Sequence, residues 1–244
     1  MCDPSSRALA HLNLLAFDTS TETLSVALAG RGEPLVHAGA GGAQASATLI
    51  PAILSLLEKA GMQLGELDAI AFGSGPGSFT GLRTACSVAQ GLALGAEVPV
   101  LPIETLMAVA EDARSRTGAL DVLALLDARM GEVYCARYTH DGRRWQRHGQ
   151  VLLAAPEAVV VVQDAVLAGN VFAAYGDRLP GGHQRVEAAP NAQALLRLAP
   201  ALLADGQGLP ADQALPLYVR DKVAQTTAER EATRAGARQD KMPP

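Results

Sequence analysis

LLAFDTSTETLSVALAG, residues 14–30, is the stretch on which the reading of the fold turns. An apolar run closes on Asp18, the polar stretch Thr19-Ser20-Thr21-Glu22 follows, and Leu24, Val26 and Leu28 then alternate up to Gly30. Two apolar limbs around a short polar turn predict strand–turn–strand. Working outward, Leu35–His37 supplies a third short strand, and a Gly/Ala-rich loop (38–45) leads into a helix over about 46–60. Leu67–Phe72 reads as a buried strand that runs into GSGPGSFTG (73–81). A small-residue helix continues to about 94, 98–103 is a strand and 104–116 a helix. The order is βββαβαβα.

The pattern then restarts. VLALLDARMGEVYCARY (122–138) gives an apolar run ending in Asp127, a turn at Ala128–Gly131 and an alternating strand over Val133–Tyr138. A turn at His140-Asp141-Gly142 and a strand over roughly 144–153 complete the meander. An aspartate closes the first strand of each copy, so the chain reads as an internal duplication. The second copy thins downstream: a strand over 166–171, a Gly/Pro-rich stretch (176–182) and a helix over about 192–204. A duplicated α/β unit of this kind resembles the actin/hexokinase/Hsp70-like (RNase H-like) superfamily, with a reduced second lobe. The expected division is 13–110 for the first lobe and 111–215 for the second. Residues 1–12 and the polar, mixed-charge stretch 225–244 are expected to be disordered.

Composition narrows the function. With 244 residues, 49% of them hydrophobic but only 4% aromatic, the core must be built from Leu, Val, Ile and Ala. The formal net charge is −5, whereas a lone nucleic-acid binder normally presents a basic face. The one arginine group, Arg143, Arg144 and Arg147 beside His148, flanks a turn and reads as a solvated hairpin edge. The three cysteines (Cys2, Cys86 and Cys135) have no metal or redox spacing, as expected of reduced thiols in the cytoplasm. Neither a membrane span nor a secretory signal is legible.

Four groups of residues were candidates for a site. GSGPGSFTG could approach a phosphate at a helix start, through Gly75, Gly77 and Ser78, or could be a tight strand-to-helix turn; it lacks the Lys-Ser/Thr pair of a Walker A loop. Asp18 with Thr19, and Asp127, could flank a phosphate–metal cleft or close Asx-type turns. No catalytic or metal set is expected, because the histidines are isolated in sequence and Ser74, Ser78 and Cys86 lack a visible base. The helix pair is more specific. The apolar arc of the 46–60 helix spans about 200°, with Ile50, Ile53, Leu54 and Leu57 on one side and Leu49, Ala52, Leu56 and Ala60 extending it, whereas a core stripe needs roughly 100°. Gly81, Ala85, Ala89 and Ala93 form a smooth i+4 ridge that lets another backbone come within about 8 Å. These two helices are expected to meet a partner through Leu49, Ile53, Leu56 and that ridge.

LLAFDTSTETLSVAL (14–28), LDAIAFGSGPGSFTGLRTACSVAQGLAL (67–94), LALLDARMGEVYCARY (123–138) and PLYVR (216–220) are similar to the signature segments of the TsaB (YeaZ) family. The resemblance implies an actin-like fold whose C-terminal segment, about 216–224, returns to the first lobe. It implies a non-catalytic subunit that supports TsaD in placing threonylcarbamoyl on the tRNA adenosine beside the anticodon. TsaE joins the assembly, a homodimer forms when TsaD is absent, and tRNA is met only through the complex. No cofactor is expected to be held firmly by the chain, and whether ATP or ADP sits at the partner interface stays open. The competing reading is an active small-molecule kinase or ATPase of the same superfamily. Ala45-Ser46 stands where some members carry His, so no role of that His carries over.

Overall fold

The computed structural model describes residues 12–30, 32–162 and 164–220. β1 (Leu14–Asp18), β2 (Thr23–Ala29) and β3 (Leu35–Ala40) form an antiparallel meander, and β4 (Ala69–Gly75) and β5 (Val100–Glu104) add parallel strands in the order β3-β2-β1-β4-β5. β6 (Asp121–Arg129), β7 (Glu132–His140) and β8 (Trp145–Ala154) repeat the meander, and β9 (Val166–Gly169) and β10 (Arg185–Glu187) repeat the parallel pair. The two sheets thus have the same topology. This is the duplication that the paired aspartates indicate, and it defines an actin-like α/β fold.

The helices are α1 (Ala45–Ala60), α2 (Phe79–Ala96), α3 (Thr105–Thr117), the short α4 (Phe172–Tyr175) and α5 (Ala192–Ala204). Their ends follow capping chemistry. α1 stops at Gly61 and α3 at Gly118, both left-handed, and α2 and α5 start on the side chains of Ser78 and Asn191,.

β1 shows how one strand serves two cores. Leu15 and Phe17 face α1 and α2, while Leu14 and Ala16 face α5 on the other side, as side-chain alternation requires. α3 packs against both sheets, with Ala108 toward the first and Leu106, Val109, Ala110 and Ala113 toward the second. The far face of the second sheet, Leu125, Val133 and Leu167, is covered by Val159, Val171 and Leu179 in place of a helix pair like α1 and α2. That substitution is the physical content of the reduced lobe.

Two boundaries differ from expectation. The division at 110 falls inside α3, and α5, allotted to the second lobe, lies on the first sheet against β1 and β2. β10 and α4 were not anticipated, because three- and four-residue elements carry too little periodicity. The expectations for residues 1–11 and 221–244 lie outside the described residues.

Candidate functional site: an inter-lobe cleft and an exposed helix face

A cleft of about 400 Å³ separates the lobes. The β1–β2 turn (Ser20, Thr21, Glu22) and the glycine loop (Pro76–Phe79) form one wall, and Leu126–Met130, Tyr134 and Asn170 form the other. Leu217–Arg220 completes it.

The glycines of the loop are needed, and the chain's own atoms use the space they leave. A Cβ on Gly73 would stand 1.8 Å from Asp18 Oδ2, on Gly75 2.5 Å from Leu217 O, on Gly77 2.6 Å from Ser20 O, and on Gly81 1.9 Å from Thr19 O. Gly75 also has φ +125°, a conformation that L side chains avoid. Ser20 O accepts from the Ser78 N–H at 2.7 Å, and the Thr19 hydroxyl donates to Gly81 O at 2.8 Å. Ser78 Oγ accepts from Gly81 N–H and caps α2. Thr19, Gly75, Gly77 and Ser78 therefore stitch the β1–β2 turn, the loop and the C-terminal segment together.

The two strand-end aspartates have unlike surroundings. Asp127 lines the cleft; its Oδ1 accepts from the Arg129 N–H at 2.8 Å and from the Tyr175 hydroxyl at 3.0 Å. Asp18 is fully buried and does not line the cleft. Its Oδ1 accepts from the Ser20 N–H at 2.9 Å and the Ser20 hydroxyl at 2.7 Å, and its Oδ2 has no partner. Burial pushes the carboxyl above the usual carboxylate range, against the smaller opposing pull of the Ser20 bonds,. A magnesium nucleotide between the lobes does not fit these residues. A carboxyl that is sealed and biased toward its neutral form cannot face a hydrated cation across a cleft that it does not line. Among the described residues, no group of three or more His, Cys, Asp and Glu side chains could hold a metal ion.

The helix pair requires a correction. Leu49, Ile53, Leu56, Gly81, Ala85, Ala89 and Ala93 are buried in the first-lobe core, with Ala89 wholly inaccessible. The wide arc of α1 is filled from within, because the helix rests on the sheet and on α2 at once. The small ridge of α2 lets it lie close on that same core. The open faces are the opposite ones. On α1, Ile50 (44% exposed) and Leu54 (56%) face solvent; on α2, Leu94 (75%) does so together with Ser87, Gly91 and Gly95. A Cβ on Gly91 or Gly95 would meet nothing within 4 Å.

Two further groupings were not legible in the sequence. Phe79 and Tyr218 pack with ring centroids 5.2 Å apart, and the Arg83 guanidinium lies 3.7 Å over the Phe79 ring. The buried Glu111 accepts from Arg114, Arg197 and the Trp145 indole, tying α3, α5 and β8 together. The exposed arginine edge is partly neutralised by pairing, Arg144 with Asp205 and Arg147 with Glu104. No helix among the described residues is long and apolar enough to cross a membrane.

Duplicated sheets around a cleft define a two-lobed, actin-like protein, and a family model described as TsaD: tRNA N6-adenosine threonylcarbamoyltransferase matches residues 41–170. Within that class the chain belongs to the TsaB family, whose members are also called YeaZ. It is 35% identical to tRNA threonylcarbamoyladenosine biosynthesis protein TsaB of Escherichia coli K12, over 87% of this chain and 96% of that one. It is 37% identical to the TsaB of Haemophilus influenzae, over 87% and 95%. The solved structure of YeaZ from Pseudomonas aeruginosa superposes with a TM-score of 0.80 at 40% identity, covering 85% of this chain and all of that one.

Proposed function

We propose that this chain is an accessory subunit of tRNA threonylcarbamoyladenosine biosynthesis, which binds and supports a TsaD threonylcarbamoyltransferase and does not itself carry the transfer. Its place in that pathway rests on the family, whose E. coli and H. influenzae members are named for it. The partner role is carried by one observation, the open face of α1 and α2. Ile50 and Leu54 on α1 and Leu94 on α2 are large apolar side chains in solvent, and Gly91 and Gly95 on α2 leave room for a second backbone. Burying apolar surface of this kind is the main favourable term in association.

On this reading TsaD occupies the face, a second copy of the chain competes for it when TsaD is absent, and TsaE joins the assembled pair. The partners hold the tRNA, in keeping with a net charge of −5, and the work is cytoplasmic. Adenine nucleotide belongs at the seam with TsaD rather than in this chain's own cleft. The sealed, unpartnered carboxyl of Asp18 speaks against the kinase or ATPase reading.

Reconstitution tests the proposal. TsaD with the other subunits should modify tRNA only when this chain is added. The chain alone should neither turn over ATP with magnesium nor bind tRNA more tightly than the non-specific range, about 10⁻⁴ M at physiological salt. Steady ATP turnover by the lone chain would favour the kinase reading, and full modification without the chain would end the subunit reading.

A further inference from the structure

Among the described residues the lobes meet away from the cleft and across it. Away from the cleft, α3 and α5 form a buried layer on the first sheet, α3 continues into the core of the second, and Glu104 at the end of β5 accepts from the Tyr138 hydroxyl at 2.7 Å and pairs with Arg147. The Glu111 carboxylate, 2% exposed, ties this layer to β8 through Trp145. None of these residues lines the cleft.

From the residues that do line the cleft, two links cross it. One is the Arg129–Glu22 pair between the β6–β7 turn and the β1–β2 turn, with both side chains at least two-thirds exposed. Water screens such a pair, and it holds little.

The other is the segment Ala214–Arg220, anchored at each step. Ala214 O accepts from the Cys86 thiol and from Gln90 Nε2 on α2. The Leu217 N–H donates to Ser74 O at 2.7 Å, and Leu217 O occupies the space left by Gly75. Tyr218 packs on Phe79, and its hydroxyl accepts from Arg83 Nε at 3.1 Å. Val219 then joins the second-lobe core, and the Arg220 guanidinium donates to Ala128 O at 3.1 Å and to Glu132 Oε2 at 2.6 Å. The segment returns to the first lobe through Tyr218, as the family resemblance implies, and then crosses to the second lobe at Val219 and Arg220.

Its far anchor is a strained turn. Arg129 (φ 62°), Met130 (φ 56°) and Gly131 (φ 77°) are left-handed in succession, and two of them carry side chains. A backbone of this kind persists where its surroundings fix it, and Arg220 is bonded to the residues on both sides of it.

We infer that Ala214–Arg220 is a strap that holds the lobes at their present angle across the cleft, so that releasing Tyr218 and Arg220 lets the cleft open about the α3–α5 layer. The strap is the softer of the two connections: Tyr218 is 44% exposed, whereas the apolar contacts of the α3–α5 layer at Ala108, Leu195 and Ala199 have no exposure. The lobe angle is then set from the C-terminal side of the fold.

The test is the double variant Tyr218→Ala/Arg220→Ala in the full chain, followed by amide hydrogen exchange and small-angle scattering. Exchange in 19–23 and 126–134 should quicken roughly ten-fold, the order expected for loss of charge-assisted hydrogen bonds. Exchange in α5 should stay as in the wild type, and the radius of gyration should rise. Unchanged exchange around the cleft would overturn the inference, because the α3–α5 layer would then fix the angle alone. Acceleration spread equally over β1, β4 and α5 would overturn it as well, because the strap would then be part of the core.

Discussion

Asp18 has one carboxylate oxygen bonded twice by Ser20 and the other bonded by nothing. Burial raises its folded pKa, so the folded state holds this proton more tightly than the unfolded chain does. The resulting contribution to stability is fully present below the ordinary carboxylate range and is lost as the pH rises through the folded value. At neutral pH the buried carboxyl is therefore a burden. Asp18→Asn keeps the acceptor for Ser20 and removes the charge, so its melting temperature at pH 7 should exceed that of the wild type by roughly 2–4 °C per kcal/mol recovered. The gain should shrink toward pH 4. A lower melting temperature at pH 7 would show that the ionised form is used. The sequence marks 73–81 as a place where backbone must come close, and it leaves open whether a phosphate or the chain itself does the approaching. Gly75 makes room for Leu217, a residue far along the chain, and no local pattern names a partner so distant.

At the scale of elements, α3 and α5 are joined by a buried carboxylate. Burial alone would raise the pKa of Glu111, but hydrogen bonds from Arg114, Trp145 and Arg197 outweigh it and hold the group below its ordinary value. The sign is opposite to that of Asp18: the stabilisation is present above the ordinary glutamate range and is lost as the pH falls through the folded value. Glu111→Gln should cost roughly 1–3 kcal/mol at pH 7, less than a fully buried pair would, because both guanidinium groups reach solvent. Urea titrations at pH 7 and at successively lower pH check this, and the difference between the two proteins should shrink as the pH falls below the ordinary glutamate range. The helices themselves were legible from their periodicity, and the bounds of α5 match the expected ones. What their wheels could not give was the neighbour. The wide arc of α1 and the ridge of α2 correctly signal burial on two sides, but the second side is the other helix and not a partner. Likewise, the apolar stripe of α5 does not say which of two sheets it will cover.

For the whole molecule, the duplication was readable because LLAFD and ALLD each close on an aspartate before an alternating strand, and the two sheets repeat one topology. The face proposed for assembly was not readable, since it consists of what the core leaves over: Ile50, Leu54, Ser87, Gly91 and Leu94 are exposed. Two substitutions on one helix separate core from interface. Ala89→Arg forces a long cation into a site with no exposure and should leave the chain insoluble or unfolded,. Gly91→Arg extends from an open position and replaces the poorest helix former but proline with a good one, worth up to about 1 kcal/mol,. Capture of TsaD by the Gly91→Arg protein, with a thermal melt on the same sample, decides whether the α1–α2 face takes the partner. The expected result is a soluble monomer that melts no lower than the wild type, retains no TsaD and supports no tRNA modification. Full TsaD capture by the folded Gly91→Arg protein would contradict it and move the partner site off the α1–α2 face.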